Sequence, residues 1–331
     1  MFNTFKHTAG ATAAATLAAA LSLNAAHAAP YPERSIQIVV PVAPGGNTDI
    51  ATRLLAAKLK DRLHQSVVVE NRTGAGGGIG ADYVARAKPD GYTLLSASNG
   101  QLAVNPAVNK KLSYDPIRDF APIGLISRVP LALTVPADSP ITTLAAFIDA
   151  SKNKAGGLTI GTSGTGGAHH LVMEAFASQT GAKLIQVPYR GGNAIIPDLI
   201  AGSIDGTFNE LPNVIALHRE GRARIIAIAS SDRAALLPTI PTFDQAGVKG
   251  FTAYSSNGWL APAGTPADVV ETLRAALVEA LHDPAVRKRF EEMALVIAPE
   301  AETSPDQYGA IMQRDLEAAR RTVAEHNISI E

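Results

Sequence analysis

An α/β fold of two units, each a mostly parallel sheet flanked by helices, is what this sequence predicts. Three observations carry that expectation. β-branched runs alternate with helix-spaced apolar stretches along the chain, which puts helices over parallel strands. Glycine-rich turns sit where strand gives way to helix. The 331 residues suffice for two units of about 150 residues each.

The elements follow in order. Residues 35–41 (SIQIVVP) read as a short strand, followed by the loop VAPGGN at 42–47. Ile50, Leu54, Leu55, Leu59 and Leu63 are spaced for a helix over 48–63. Thr48 or Asn47 suits its N-cap, and Asp49 adds negative charge to its first turn. A strand at 67–70, a glycine loop at 74–80, a helix at 81–88, a Pro-Asp-Gly turn and a strand at 92–98 follow. The same order returns with a strand at 158–160, the loop GTSGTGG at 161–167 and a helix over 168–180 closed by Gly181. Strands at 184–187, 204–208 and 224–229 alternate with helices after YRGGN (189–193) and NELP (209–212). From Pro266 onward the chain reads as mostly helical, with caps at Thr265 and Ser304.

Composition narrows the function. The chain is 46% hydrophobic and 18% charged, hence globular rather than disordered. A formal net charge of −1 offers no basic field, which excludes nucleic acid as a partner. With no cysteine there are no disulfides, thiolate metal sites or cysteine nucleophiles. The N-terminus carries Lys6, an uncharged apolar run at 9–23 and Ala26-His27-Ala28 before the cleavage point. This reads as a signal peptide over 1–28 for the general secretory route, since the apolar run is shorter than the roughly 20 residues of a span. A soluble periplasmic chain is expected.

Several motifs fail their first reading. Gly76 to Ala81 fits G-x-G-x-x-A after a strand, but the next strand ends in SASN with no carboxylate for a ribose, so no dinucleotide is expected and a tight turn is the alternative. The loop at 161–167 lacks the lysine and hydroxyl of a nucleotide loop. Around Ser163 it lacks the spacing of a nucleophile elbow, leaving a serine hydrolase as a poor rival. His169 and His170 point about 100° apart on a helix and make no metal pair; no metal or cofactor is expected.

What remains at 43–49 and 161–170 is a strand, a glycine turn and a helix N-terminus, twice. Free amides and the positive helix end suit a small anion. About four or five charge-assisted bonds of about 1.5–3 kcal/mol, plus about 1 kcal/mol per helix end, exceed the roughly 8 kcal/mol of a micromolar complex. The competing reading is two ordinary tight turns.

The runs VVPVAPGGNTDIATRLLA, VVVENRTGAGGGIGADYVARAKPDGYTLL, NPAVNKKLSYDPIRDFAPIGLI, GTSGTGGAHHLVMEAF, VPYRGGNAIIPDLIAG, LLPTIPTFDQAG and GWLAPAGTP resemble the Bug (TctC-like) family of periplasmic receptors of tripartite tricarboxylate transporters. The resemblance implies a two-domain Venus-flytrap fold. It also implies a small organic carboxylate ligand (a mono- or dicarboxylate, amino acid or aromatic acid), capture rather than catalysis, and delivery to the large and small membrane subunits. A sensor for a membrane signalling partner is the other use of the same binding chemistry. A monomer is expected. The two chain crossings are placed near Val129 and Ser256, joining 29–128 with 257–331 against a second domain at 129–256.

The resemblance assigns the ligand to the two loops that the backbone argument selects. The expected contacts are Ala43, Gly45, Gly46, Asn47, Thr48 and Asp49 from the first, Ser98 beside it, and Thr162, Ser163, Gly164, Gly166, Ala168 and His170 from the second. Arg190 is a candidate carboxylate clamp or a salt-bridge partner. Asn209 is a candidate contact to the far end of the ligand, standing where the family commonly has aspartate, one position before Glu210. Asp49 is expected to hold its own loop by accepting amides. Tyr254 and Trp259 are expected to pack the hinge or touch ligand.

Overall fold

The computed structural model describes residues 31–328; the signal-peptide reading at 1–28 lies outside them. Ile36, Ile38, Val39 and Val40 are fully buried in β1 (Ile36–Val40). This strand pairs in parallel with β2 (Val67–Asn71) and β3 (Thr93–Ser98). The crossovers are α1 (Asn47–Leu63), which buries Leu55, Leu59 and Leu63, and α2 (Gly78–Ala85). A π-helical turn (Gly100–Val104) and α3 (Asn105–Val108) lead to β4 (Phe120–Pro136).

β4 is the spine of the molecule. Its first part, Phe120 to Pro130, pairs antiparallel with β9 (Tyr254–Pro262), which in turn pairs antiparallel with β3. From Leu131 onward the partners change to β7 (Gly206–Glu210) and β8 (Ala223–Ile228), both antiparallel. After α4 (Leu144–Asn153), β5 (Leu158–Thr162) pairs in parallel with β6 (Leu184–Pro188) and β7. The connecting helices are α5 (Ala168–Thr180), α6 (Ile196–Ile200) and α7 (Leu211–Arg219). The C-terminal part adds α8 (Ala267–His282), α9 (Pro284–Glu292), a short β10 (Val296–Ile297) on β4, and α10 (Pro305–Glu325).

The α/β class is as expected, but the sheet is mixed. Among the described residues, parallel ladders between strands join β1, β2 and β3 at one end and β5, β6 and β7 at the other. Between them β4 and β9 run antiparallel. Two main apolar cores lie along this sheet. One gathers Val39, Leu95, Phe120, Leu125, Leu260 and Tyr308. The other gathers Phe147, Phe176, Phe208, Phe243 and Phe251, whose ring centroids stand 5.1–6.3 Å apart. Aromatic edge and offset contacts of this kind add about 0.5–1.5 kcal/mol per pair beyond burial.

Strand direction decides where the loops go. β3 and the first part of β4 both run antiparallel to β9, so they run the same way, toward Pro130. β7 runs against β4 and ends with Glu210 opposite Leu131. The C-terminal ends of both parallel sets therefore point at the junction between Pro130 and Leu131. That is where open α/β sheets place their ligands.

Candidate functional site

Two strand-to-helix junctions meet this description, and they share one geometry. α1 starts after Gly46 (φ −75°, ψ 164°) and α5 after Gly167 (φ −77°, ψ 167°); neither helix has a side-chain cap. A cap at Thr48 or Asn47 is thus not what forms: Gly46 is the N-cap, and Asn47 and Thr48 are already helical. Glycine caps leave first-turn amides open where serine, threonine or aspartate would take them up.

Asp49 is the one acid in the first turn of α1, and its carboxylate is taken up by neighbouring donors. Its carboxylate accepts from the Gly45 amide at 2.9 Å, Arg53 Nε at 3.0 and 3.1 Å, and Asn71 Nδ2 at 2.8 Å. Burial pushes its pKa up, but the bonds from Arg53, Gly45 and Asn71 outweigh this and hold it below the usual value. Its charge is thereby neutralised locally while the turn at Pro44-Gly45 is fixed. Thr52 Oγ1 anchors the helix on β3, lying 2.7 Å from Ser96 Oγ. Ser98, at the end of β3, gives both its amide and its hydroxyl to Gln101 Oε1.

The α5 turn closes on itself through Gly167 N–H to Gly164 O at 3.0 Å. A Cβ on Gly167 would stand 2.8 Å from Ser163 Oγ and 3.1 Å from Gly164 O, so a larger residue would crowd the turn. The Gly166 amide donates to His170 Nδ1 at 3.0 Å. Thr162 is fully buried, its hydroxyl accepting from Gln186 Nε2 at 2.9 Å. His169 points the other way, as adjacent helical positions require, and bonds Glu210 Oε2 at 2.9 Å. Among the described residues neither histidine hydrogen-bonds Ser163, so no nucleophile–base pair forms there. Burial raises the Glu210 pKa, yet the charge and hydrogen bond of His169 outweigh it and leave the carboxyl below its usual value.

Arg190 is exposed, and among the described residues it has no ion-pair or hydrogen-bond partner. It sits in the loop behind Tyr189, whose hydroxyl donates to Asp198 at 2.6 Å, with burial and that carboxylate lifting the phenol to about 12. Asn209 is fully buried in β7. Its Nδ2 donates to Gly192 O at 3.0 Å, and its Oδ1 accepts from Asn213 at 2.9 Å. A Cβ at Gly192 would stand 2.9 Å from Asn209 Oδ1, so the YRGGN loop lies directly on this side chain. Trp259 is fully buried in β9, while the Tyr254 hydroxyl accepts from the Ser231 amide at 2.9 Å.

The glycine turn at 74–80 has a structural job. Gln101 Nε2 and Asn105 Nδ2 donate to the carbonyls of Gly76 and Ala75, at 3.3 and 3.0 Å. Gly80 packs against the Arg72 carbonyl, where a Cβ would stand 2.7 Å away. A cavity of about 520 Å³ also lies beside the junction, lined by Asn99, Arg128, Ala168, Glu210, Tyr254 and Arg314 among others. Of the residues expected to hold the ligand, Ala168 borders it, as does Tyr254, expected at the hinge or the ligand.

Sequence reasoning did not name Arg53, Asn71, Gln186, Glu174 or His326. Arg53 was within reach, since it stands one helical turn from Asp49. Glu174 was equally within reach, one turn along the helix from His170. Asn71, Gln186 and His326 come from other elements, with no local spacing to betray them.

Comparison with known proteins agrees with this architecture. The family model described as tripartite tricarboxylate transporter family receptor (TctC) matches residues 51–328. Protein BugT of Bordetella pertussis (strain Tohama I) is 37% identical over 261 residues, 78% of this chain and 80% of that protein. Two solved structures are also close. Rpa4515 of Rhodopseudomonas palustris with adipate is 32% identical with a TM-score of 0.80, covering 90% of this chain and 99% of that one. MatC (Rpa3494) from the same species with bound malate is 30% identical with a TM-score of 0.78, covering 88% and 100%. No helix among the described residues is long and apolar enough to cross a membrane. A two-ended mixed sheet with uncapped helix N-termini at its junction, matched by this family across most of its length, places the chain in the TctC family of solute-binding receptors, which bind rather than catalyse.

Proposed function

We propose that this chain captures a small organic carboxylate between the α1 and α5 turns in the periplasm. The closed form then passes the ligand to the large and small membrane subunits of a tripartite tricarboxylate transporter. The observation that carries the reading is the pair of matched glycine caps, both at strand ends directed toward the Pro130 junction. The malate and adipate held by two relatives support the ligand class. The junction also supplies the hinge. On this reading the described parts of segments 29–128 and 257–331 form one lobe and 129–256 the other, with crossings near Val129 and Ser256; the change of partners along β4 after Pro130 supports it. Arg190, without an ion-pair or hydrogen-bond partner among the described residues, is available to the outer end of a ligand. Asn209 acts at one remove, by shaping the Gly192 loop.

A thermal-shift panel of mono- and dicarboxylates, amino acids and aromatic acids tests the class. A true ligand at 100 times its dissociation constant adds about 2.7 kcal/mol. Ala168→Pro then tests the mechanism. Proline is tolerated at the first helical position, and Gly167 already has the extended conformation that precedes proline. The variant should fold with nearly unchanged stability and bind the panel's best acid about tenfold more weakly, having lost one amide. Unchanged affinity would contradict amide recognition at α5.

A further inference from the structure

Two histidines from different helices share one carboxylate. Glu174, one turn along α5 from His170, has Oε1 3.3 Å from His170 Nε2 and Oε2 3.2 Å from His326 Nδ1. His326 is the C-cap residue of α10. At the other end of the chain of contacts, His170 Nδ1 takes the Gly166 amide proton at 3.0 Å. Four groups thus run in series from the glycine turn, along α5, to the end of the C-terminal helix. They flank an apolar contact in which Val104, Leu171, Leu316 and Ala319 pack together.

The donors fix the protonation. An amide N–H can only donate, so Nδ1 of His170 must present its lone pair. A neutral ring then carries its proton on Nε2, facing the Glu174 carboxylate. The charged groups facing His170 are Glu174 on its own helix and His326 from α10, while His169 and Glu210 on β7 satisfy each other.

We propose that His170 is a positioning residue: its bare Nδ1 aims the Gly166 peptide, and Glu174 with His326 ties the turn at the α5 N-terminus to the C-terminal helix. This inference rests on the carboxylate site proposed at that turn. Protonating Nδ1 would set a donor against the Gly166 amide, so the turn must then rearrange. Burial lowers the His170 pKa, Glu174 opposes this in part, and His326 adds to it; the net value lies below the ordinary 6.5. The neutral form therefore holds at and above that ordinary value. The ordered turn is lost as pH falls through the lowered one.

Two readouts decide the matter. Long-range proton–nitrogen NMR of the purified, ligand-free protein should show His170 neutral with an unprotonated Nδ1 near pH 7.5, about one unit above its ordinary pKa. The Gly166 amide should move in step with the His170 titration. A protonated Nδ1, or a Gly166 amide indifferent to that titration, would overturn the proposal. The second readout is affinity for adipate and malate across about pH 5 to 8, the range in which histidine titrates. Wild type is compared with His170→Asn, whose amide oxygen stands near the Nδ1 position, and His170→Gln, which reaches only the Nε2 position. The asparagine variant should bind within about twofold of wild type and lose the acid-side fall in affinity; the glutamine variant should bind about tenfold more weakly. Equal losses in both variants, with the acid-side fall retained, would also overturn it. Should wild type bind neither acid, that counts against the carboxylate site, and the NMR result alone then decides the role of His170.

Discussion

Asp49 shows how, on the proposed reading, one residue would serve a binding site without meeting the ligand. A carboxylate facing an anion would repel it; this one is 2% exposed and engaged by Arg53, Asn71 and the Gly45 amide. Asp49→Ala should destabilise the protein by about 0.5–1.5 kcal/mol in urea denaturation, the net worth of a hydrogen bond whose donors water can still reach. The pH dependence has a fixed sign. Its folded pKa lies below the ordinary 3.8, so its contribution is complete above that value and lost as pH falls through the lowered one. The loss should be absent from Asp49→Ala. That Asp49 holds its own loop was legible, because the i, i+4 reach and the repulsion argument are local. The histidine roles were not. Which ring nitrogen accepts, and from what, depends on the Gly166 peptide and on His326, which lies far along the chain. Asn209 drew attention as a departure from the family pattern, and its burial against Gly192 follows from the pairing of β7 inside the sheet, which spacing alone does not reveal.

At the scale of elements, the chain's punctuation was readable wherever glycine set it. α5 spans Ala168–Thr180 between Gly167 and a left-handed Gly181 (φ 68°), as the sequence implies. The cap at Ser304 forms, its hydroxyl accepting from Gln307 at 3.3 Å, whereas Thr265 bonds Pro262 O instead of capping α8. β4 was not legible as one strand. Pro122, Pro130 and Pro136 interrupt it, and proline ordinarily argues against a central strand. The structure accommodates two of them at a register shift near Pro122 and at the change of partners after Pro130. β9 packs closely at Gly258, where a Cβ would clash with the phenol end of Tyr308 on α10. Gly258→Ala should therefore lower stability by about 1–3 kcal/mol, as overpacking does, seen as a lower thermal midpoint. Truncating the ring in Gly258→Ala/Tyr308→Leu should recover part of the loss; no recovery would place the strain elsewhere.

At the scale of the whole molecule, the mixed sheet directs two local features to one junction. Parallel strands alone would put the α1 and α5 turns at the ends of separate units. Because β4 and β9 run through the middle, both sets of strand ends point at the same junction. A ligand that touches both turns favours the closed arrangement by as much as it prefers that arrangement over the open one. The alternation of strand and helix made the two-part α/β architecture legible, but the antiparallel spine that joins the parts came only from long-range pairing. The central claim is that peptide amides at two helix ends grip the carboxylate. A crystal structure with adipate or malate bound tests it most directly. The account predicts ligand oxygens at about 2.7–3.1 Å, directly or through one water, from first-turn amides after both Gly46 and Gly167. A ligand seated against Arg128 and Arg314 in the neighbouring cavity, with neither turn in reach, would contradict it.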